Sequence, residues 1–245
     1  LGLVEVGGDD TLALGDGDVL IIAGLGGDIV TTGSGRHEVL GDNGQFDFTA
    51  SGVLTDVITT ADSLGGDDVL TLTDGEAVIL GGAGQDTIIT GIGDDIVMGD
   101  NGEIRFDQEG VIESMISIDL TSGDDDTINL DIGSHIAIGG AGADTITAGY
   151  GDDDFIGDNG EIIFTNGAIS SMATSDIDGG TAGADTIDAG FGDNRVLAGL
   201  GTKQVLDADN NPIMIGDSVV TGDDNAIVLG DNCIINHRHG ALICL

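Results

Sequence analysis

A beat of nine residues constrains this chain more than any other feature. Residues 81–102 read GGAGQDTIITGIGDDIVMGDNG, in which glycines alternate with small residues, an Asp follows, an aliphatic run closes the unit, and the pattern restarts. A longer period is superposed on the short one. GDNG occurs at 41–44, 99–102 and 157–160, a spacing of 58 residues. Each long unit divides into four nonapeptides and one insert. The nonapeptides fill 5–40, 63–98, 121–156 and 180–215, and the inserts fill 41–62, 99–120 and 157–179.

Aligning the sixteen nonapeptides gives the local structure. Position 4 is Gly in all but two, where Asp124 and Asn210 stand, and such a position selects backbone at positive φ. Position 8 is apolar throughout, from Leu12, Ile21, Val30 and Val39 to Val205 and Met214. Positions 7–9 therefore read as a short strand and the six residues before them as a tight turn. Glycine at this density excludes a helix. Strand and turn in nine residues imply an all-β solenoid of two parallel sheets, eighteen residues to the coil, with the irregular stretch 216–245 as terminal coils or a cap after a roll over 1–215.

Alternate nonapeptides then fall on opposite sheets. On the first, position 6 reads Asp10, Asp28, Asp68, Asp86, Asp126, Asp144 and Asp185, broken only by Lys203. On the second it reads Val19, His37, Ala77, Asp95, His135, Asp153, Asn194 and Pro212. One edge carries an acid column and the other largely lacks it.

That column needs a counter-charge. The chain has 45 acidic and 5 basic side chains, a formal net charge of −40, and 38 of the acids are Asp. Such a balance excludes nucleic-acid binding and disfavours anionic membranes. Yet 40% of the residues are apolar, so a core is expected rather than disorder. Coils stack about 4.8 Å apart. Unit charges at that distance repel by roughly 1 kcal/mol in water and several times more at a desolvated edge. The relief called for is a hard divalent cation between turns, held by Asp and by turn carbonyls. Calcium suits loose oxygen ligation better than magnesium, and the His or Cys clusters that zinc would want are missing from the repeats.

The nonapeptides GGAGQDTII (81–89) and GGAGADTIT (139–147) fit the pattern GGxGxDxUx, with near matches at 23–31, 90–98, 148–156 and 180–188. In these the chain resembles the RTX, or haemolysin-type, calcium-binding repeat family. The resemblance implies a right-handed parallel β-roll with several Ca²⁺ ions between stacked turns. It marks Asp10, Asp28, Asp68, Asp86, Asp126, Asp144, Asp185, Asp95 and Asp153 as side-chain ligands. It marks Gly82, Gly84, Gly140 and Gly142 as turn residues whose carbonyl-bearing backbone completes the sites. His37, Ala77, His135, Lys203 and Pro212 depart from the pattern, so sites there are expected to be missing or weak. Members are typically exported from bacteria, which implies a secreted or cell-surface protein.

The inserts carry hairpin signals: EIIFTNGAI in 157–179, EIRFDQEGVI in 99–120 and QFDFTASGVL in 41–62. Phe48, Phe106 and Phe164 recur at the 58-residue spacing. On the second sheet position 9 is aliphatic throughout: Ile22, Leu40, Leu80, Met98, Ile138, Ile156, Leu197 and Ile215. A sheet apolar on both faces is a covered sheet. The expectation is that the hairpins fold over it; left bare, it would be a surface for self-association or a protein partner. Position 7 of the first sheet is Thr-rich, which raises ice binding, although Ile29, Val69 and Gln204 interrupt the array and ordinary strand propensity explains it.

Little else points to chemistry. No nucleophile, base and orienting group stand together, and the expectation is a non-enzymatic calcium-dependent structural module serving as stalk, spacer or adhesin segment. The alternatives are the calcium-folded tail of a secreted toxin or hydrolase, and a self-associating matrix or filament protein. The chain opens mid-pattern on Leu1, as a fragment would, and no apolar run approaches the ~20 residues of a membrane-spanning helix. Cys233 and Cys244 could bridge or stay free. His237, Arg238 and His239 form the one basic cluster, read as part of a cap.

Overall fold

The computed structural model describes residues 6–60, 64–175, 181–201, 203–206, 212–215, 217–222, 225–230, 233–236 and 241–244. Every regular element described is a strand. Three eight-stranded sheets are layered face to face.

Two of them are the parallel sheets of the roll. The first consists of Thr11–Ala13, Ile29–Thr31, Val69–Thr71, Thr87–Ile89, Thr127–Asn129, Thr145–Thr147, Thr186–Asp188 and Ser218–Val220. The second consists of Val19–Ile22, His37–Leu40, Ala77–Leu80, Ile96–Met98, Ile136–Gly140, Asp154–Asp158, Arg195–Leu197 and Ile227–Leu229. The register follows the nonapeptide frame, with position 7 against 7 and 8 against 8: Thr87 pairs Thr127 and Ile88 pairs Ile128. Position 8 points between the two sheets. Val30, Val39, Leu70, Ile79, Ile88, Val97, Ile128, Ile146, Phe155, Ile187 and Val196 are all fully buried there. Three-residue strands suffice because each buries one central side chain on neighbours above, below and across.

The inserts form the third sheet. Gly44–Phe48 with Leu54–Thr59, Gly102–Phe106 with Ile112–Ser117, and Gly160–Thr165 with Ala168–Thr174 are antiparallel hairpins, and they join side by side. This sheet lies on the outer face of the second roll sheet. Leu40, Leu80, Met98, Ile138, Ile156 and Leu197 of the roll meet Val57, Ile104, Met115, Ile162 and Met172 of the hairpins in a second core. The aliphatic face is therefore covered and is not a free docking surface. Ile22 is partly buried against the same core. Phe106 and Phe164 join it, but Phe48 is 46% exposed, while Phe46 packs against the same core. Phe46 stands where Ile104 and Ile162 stand in the later hairpins, and the same bulge recurs in all three; what sets Phe48 apart is that Gly44–Phe48 is the edge strand of the hairpin sheet.

The last block departs from the nonapeptide frame. Lys203–Leu206 and Pro212–Ile215, expected as roll strands, pair antiparallel with each other in a separate two-stranded sheet. Lys203, Gln204 and Pro212 thus hold no repeat position, and Ile215 is not part of the second sheet. The roll resumes with Ser218–Val220 on Thr186–Asp188 and Ile227–Leu229 on Arg195–Leu197. Proline's missing N–H suits it to such an excursion better than to a central parallel strand. The tail supplies one coil and then a fourth hairpin, Cys233–Asn236 with Ala241–Cys244, which extends the hairpin sheet from Ala168–Thr174 and sets Cys233 opposite Cys244. His237, Arg238 and His239 lie outside the described residues.

Candidate metal centre

The turns that carry the chain from the second sheet to the first stack into one edge of the roll. There the position-6 acids build a ladder through a single repeated hydrogen bond. Each backbone N–H donates to Oδ1 of the Asp on the next coil: Asp10 to Asp28 at 2.7 Å, Asp28 to Asp68 at 2.7 Å, Asp68 to Asp86 at 2.8 Å and Asp86 to Asp126 at 2.7 Å. The run continues from Asp126 to Asp144 at 2.8 Å, Asp144 to Asp185 at 2.9 Å and Asp185 to Asp217 at 3.1 Å. Asp is suited to the position because its short side chain reaches one coil and no further.

One oxygen of each carboxylate is thereby used and the other is not. Oδ2 of Asp10, Asp28, Asp68, Asp86, Asp126 and Asp144 is buried without a hydrogen-bond partner. A carboxylate oxygen left so costs several kcal/mol unless something satisfies it. Burial, with neighbouring carboxylates adding to it, pushes Asp68 up to about 9 and holds Asp126 and Asp144 well above the usual carboxylate range. The ion pairs among the described residues bring no Lys or Arg to this ladder. The edge is built for cations that side chains do not supply.

Space and oxygen donors are also present. A Cβ added to Gly81 would lie 2.2 Å from the Gly99 carbonyl oxygen and 2.4 Å from Asp86 Oδ2. On Gly99 it would meet Asp126 Oδ2 at 2.1 Å and the Gly139 oxygen at 2.5 Å, and on Gly139 the Gly157 oxygen at 2.2 Å and Asp144 Oδ2 at 2.6 Å. Gly41 and Gly157 face Asp68 and Asp185 in the same way, so the steps at Asp68, Asp86, Asp126, Asp144 and Asp185 each have a small cradle lined by a carboxylate and a carbonyl, open because glycine faces it. Gly82, Gly84, Gly140 and Gly142 bend the turns at φ of 120°, 128°, 125° and 124°, where other residues are strained. No group of three or more His, Cys, Asp or Glu side chains that could hold a metal occurs among the described residues. A cation here must draw on main-chain oxygens, which fits a hard ion of loose coordination.

The opposite edge is mixed. Asp95 Oδ1 accepts the Ala77 N–H at 2.9 Å, Asp153 Oδ1 accepts the His135 N–H at 2.8 Å, and Asn194 Oδ1 accepts the Asp153 N–H at 2.9 Å. Oδ2 of Asp95 and of Asp153 makes no hydrogen bond, although His135 Nδ1 stands 3.4 Å from the former. His37 turns its Nε2 to the Gly33 carbonyl oxygen at 2.8 Å.

Four further acids join the ladder edge, and the nonapeptide frame does not name them. Asp217 ends the ladder; the excursion at 203–215 shifts it out of the repeat count. Asp42, Asp100 and Asp158 begin the inserts, in the GDNG tetrapeptides that mark the long period, and are 2%, 3% and 0% exposed. Their signal was an Asp directly after an edge glycine, repeated at 58 residues.

A family model for the RTX calcium-binding nonapeptide repeat matches four stretches, 6–36, 71–103, 136–161 and 180–202. These are RTX repeats. They bind Ca²⁺ at multiple sites, and the parallel sheets are the β-roll that such repeats build. The matched stretches hold Asp10, Asp28, Asp86, Asp95, Asp144, Asp153 and Asp185, while Asp68 and Asp126, which directly follow hairpins, lie outside them. No curated protein and no solved structure matches the chain. When bound, calcium supplies charge neutralisation and a bridge between coils; the repeats supply oxygens at fixed spacing. Among the described residues no helix is long and apolar enough to cross a membrane.

Proposed function

We infer that this RTX roll is a calcium-set structural module, non-enzymatic, of a secreted or cell-surface bacterial protein, where it serves as stalk, spacer or adhesin segment. Asp10, Asp28, Asp68, Asp86, Asp126, Asp144 and Asp185 are its main side-chain ligands. Asp95 and Asp153 serve the opposite edge, and the turns at Gly82, Gly84, Gly140 and Gly142 present the carbonyls.

The observation that carries this reading is the row of buried, unpartnered Oδ2 atoms along one edge. A carboxylate that caps its neighbour with one oxygen and turns the other into an enclosed cradle is arranged to receive a cation. A structural turn Asp would spend both oxygens on backbone or water. An extracellular setting follows from the thermodynamics: stacked acids stay unfolded where calcium is scarce and coil where it is plentiful, so export precedes folding.

Circular dichroism during a chelator titration tests it. Parallel-strand signal should be lost as calcium is withdrawn and return on re-addition at roughly millimolar levels. A chelated sample with undiminished β signal and heat resistance would refute the reading.

A further inference from the structure

Each hairpin leaves the roll at the calcium edge, where it interrupts the turn that would have carried ligands. The tripeptide Gly-Asp-Asn makes the exit. Gly41 and Gly99 hold the edge column, donating their N–H groups to Leu80 and Ile138 as an ordinary coil would. Asn43 and Asn101 close the necks through their carbonyls, which accept from Thr60 at 2.8 Å and Ile118 at 3.0 Å. Asp42 and Asp100 sit between.

In uninterrupted turns this middle place belongs to glycine at positive φ, as in Gly24, Gly82 and Gly140. Asp42 and Asp100 do not adopt that conformation, so tolerance of a left-handed turn does not explain them. Both fold back over the next coil. Asp42 Oδ2 accepts the Ala83 N–H at 2.6 Å, with the Gly66 amide also facing the carboxylate, and Asp100 Oδ2 accepts the Ala141 N–H at 2.5 Å. Oδ1 of each is buried and accepts nothing.

The carboxylates also span exit and re-entry. A Cβ on Gly65, where the chain returns from the first hairpin, would lie 1.8 Å from Asp42 Oδ2 and 2.5 Å from the Ala83 carbonyl oxygen. A Cβ on Gly123, after the second, would lie 2.0 and 2.2 Å from the two oxygens of Asp100. The ladder acids Asp68 and Asp86 feel the charge of Asp42, and Asp126 feels that of Asp100. Extra negative charge beside a ladder already lacking cations is unfavourable unless an ion is shared.

We propose that Asp42 and Asp100 are calcium ligands of the hairpin necks, which close the sites that the departing chain would leave open and so tie hairpin docking to ion binding. This rests on the calcium-roll reading and extends it from the repeats to the inserts.

The test compares two double variants of the full chain that remove the same charge. Asp42→Asn with Asp100→Asn keeps a backbone acceptor at each neck. Asp67→Asn with Asp125→Asn alters exposed turn acids one residue before the ladder. Calcium titrations followed by circular dichroism give the midpoint, and amide hydrogen exchange over 102–117 reports the hairpin. The neck variant should need roughly tenfold more calcium than the control and should lose hairpin protection at calcium levels that keep the control docked. Equal midpoints and equal protection in the two variants would overturn the proposal. Should the neck double variant fail to fold, each single neck variant is read against its matching control in the same way. An unmodified chain indifferent to calcium would instead sink the calcium-roll reading itself.

Discussion

Asn in place of Asp126 separates the two jobs of the ladder, because it keeps an acceptor and gives up a charge. Asp126 is 1% exposed. Its Oδ1 accepts the Asp86 N–H at 2.7 Å, a bond that the amide oxygen of Asn preserves. Asp86 and Asp144 lie on the adjoining coils and Asp100 lies beside it. With coils about 4.8 Å apart, like charges at an effective dielectric near 20 repel by about 3 kcal/mol per neighbour. Metal-free protein escapes part of this by taking up protons, so Asn should stabilise it by about 1–3 kcal/mol at neutral pH. With calcium the sign reverses. An ion present at a hundred times its Kd contributes about 2.7 kcal/mol, most of which is lost when its carboxylate becomes an amide. Urea unfolding followed by circular dichroism, once in chelator and once in excess calcium, measures both. Equal signs in the two conditions would refute the reasoning, since a merely structural Asp has no cause to change sign with the ion.

Other consequences are simpler to state. Burial raises Asp42 from 3.8 to about 7 and Asp68 to about 9. A folded pKa above the unfolded one means that the native state holds the extra protons. Their stabilisation is complete below about 4 and is lost as pH rises through about 7 to 9, with Asp42 alone accounting for roughly 4 kcal/mol. Chelated protein should therefore gain stability in acid and lose it in base, which circular dichroism across pH will show. Met115→Ala empties a fully buried place between hairpin and roll and should cost about 2–5 kcal/mol in urea unfolding, whereas Phe48→Ala, at a half-exposed ring, should stay within about 0.5 kcal/mol.

The roll was legible because nine residues carry everything its geometry requires. Apolar position 8 fixes which side chain enters the core, and period-two alternation then fixes the faces at positions 7 and 9. The ladder was legible for the same reason: Asp86 and Asp144 recur at a place where stacking leaves no alternative neighbour. Legibility ended where the frame slipped. Gln204 and Met214 fit the nonapeptide beat well enough to be counted, yet the stretch turns back on itself, because nothing local tells a parallel strand from half of a hairpin. Phe48 illustrates a second limit. Its spacing from Phe106 and Phe164 is regular and its bulge is the same as theirs, but Gly44–Phe48 is the edge strand of the hairpin sheet, and spacing does not tell an edge strand from a central one. Asp42 and Asp100 were hidden in plain view, since their function depends on Gly65 and Gly123, which only the closed neck brings near.

The placing of hairpins every second coil has its own physical cause. A hairpin contributes two strands to its sheet, and two coils contribute two strands to the roll sheet beneath. Strands repeat at about 4.8 Å in both, so the layers advance together and each hairpin finds the next at pairing distance. Glu103 pairs Ile58 and Ser114 pairs Ile163 across successive hairpins as a result. The excursion at 203–215 respects this rule by staying out of the hairpin sheet, and the hairpin at 233–244 comes two coils after the one at 160–174. Coils of a solenoid ordinarily feel only their neighbours; the hairpin sheet adds a second set of contacts of matched pitch. Deleting residues 63–120, a full unit, keeps the match and should leave a shorter roll that still folds with calcium. Deleting 81–98 removes a single coil, leaves one hairpin too many for the surface below, and should expose the Leu40–Leu80 face to a hydrophobic dye. Equal dye binding by the two deletions would show that pitch is not what sets the spacing.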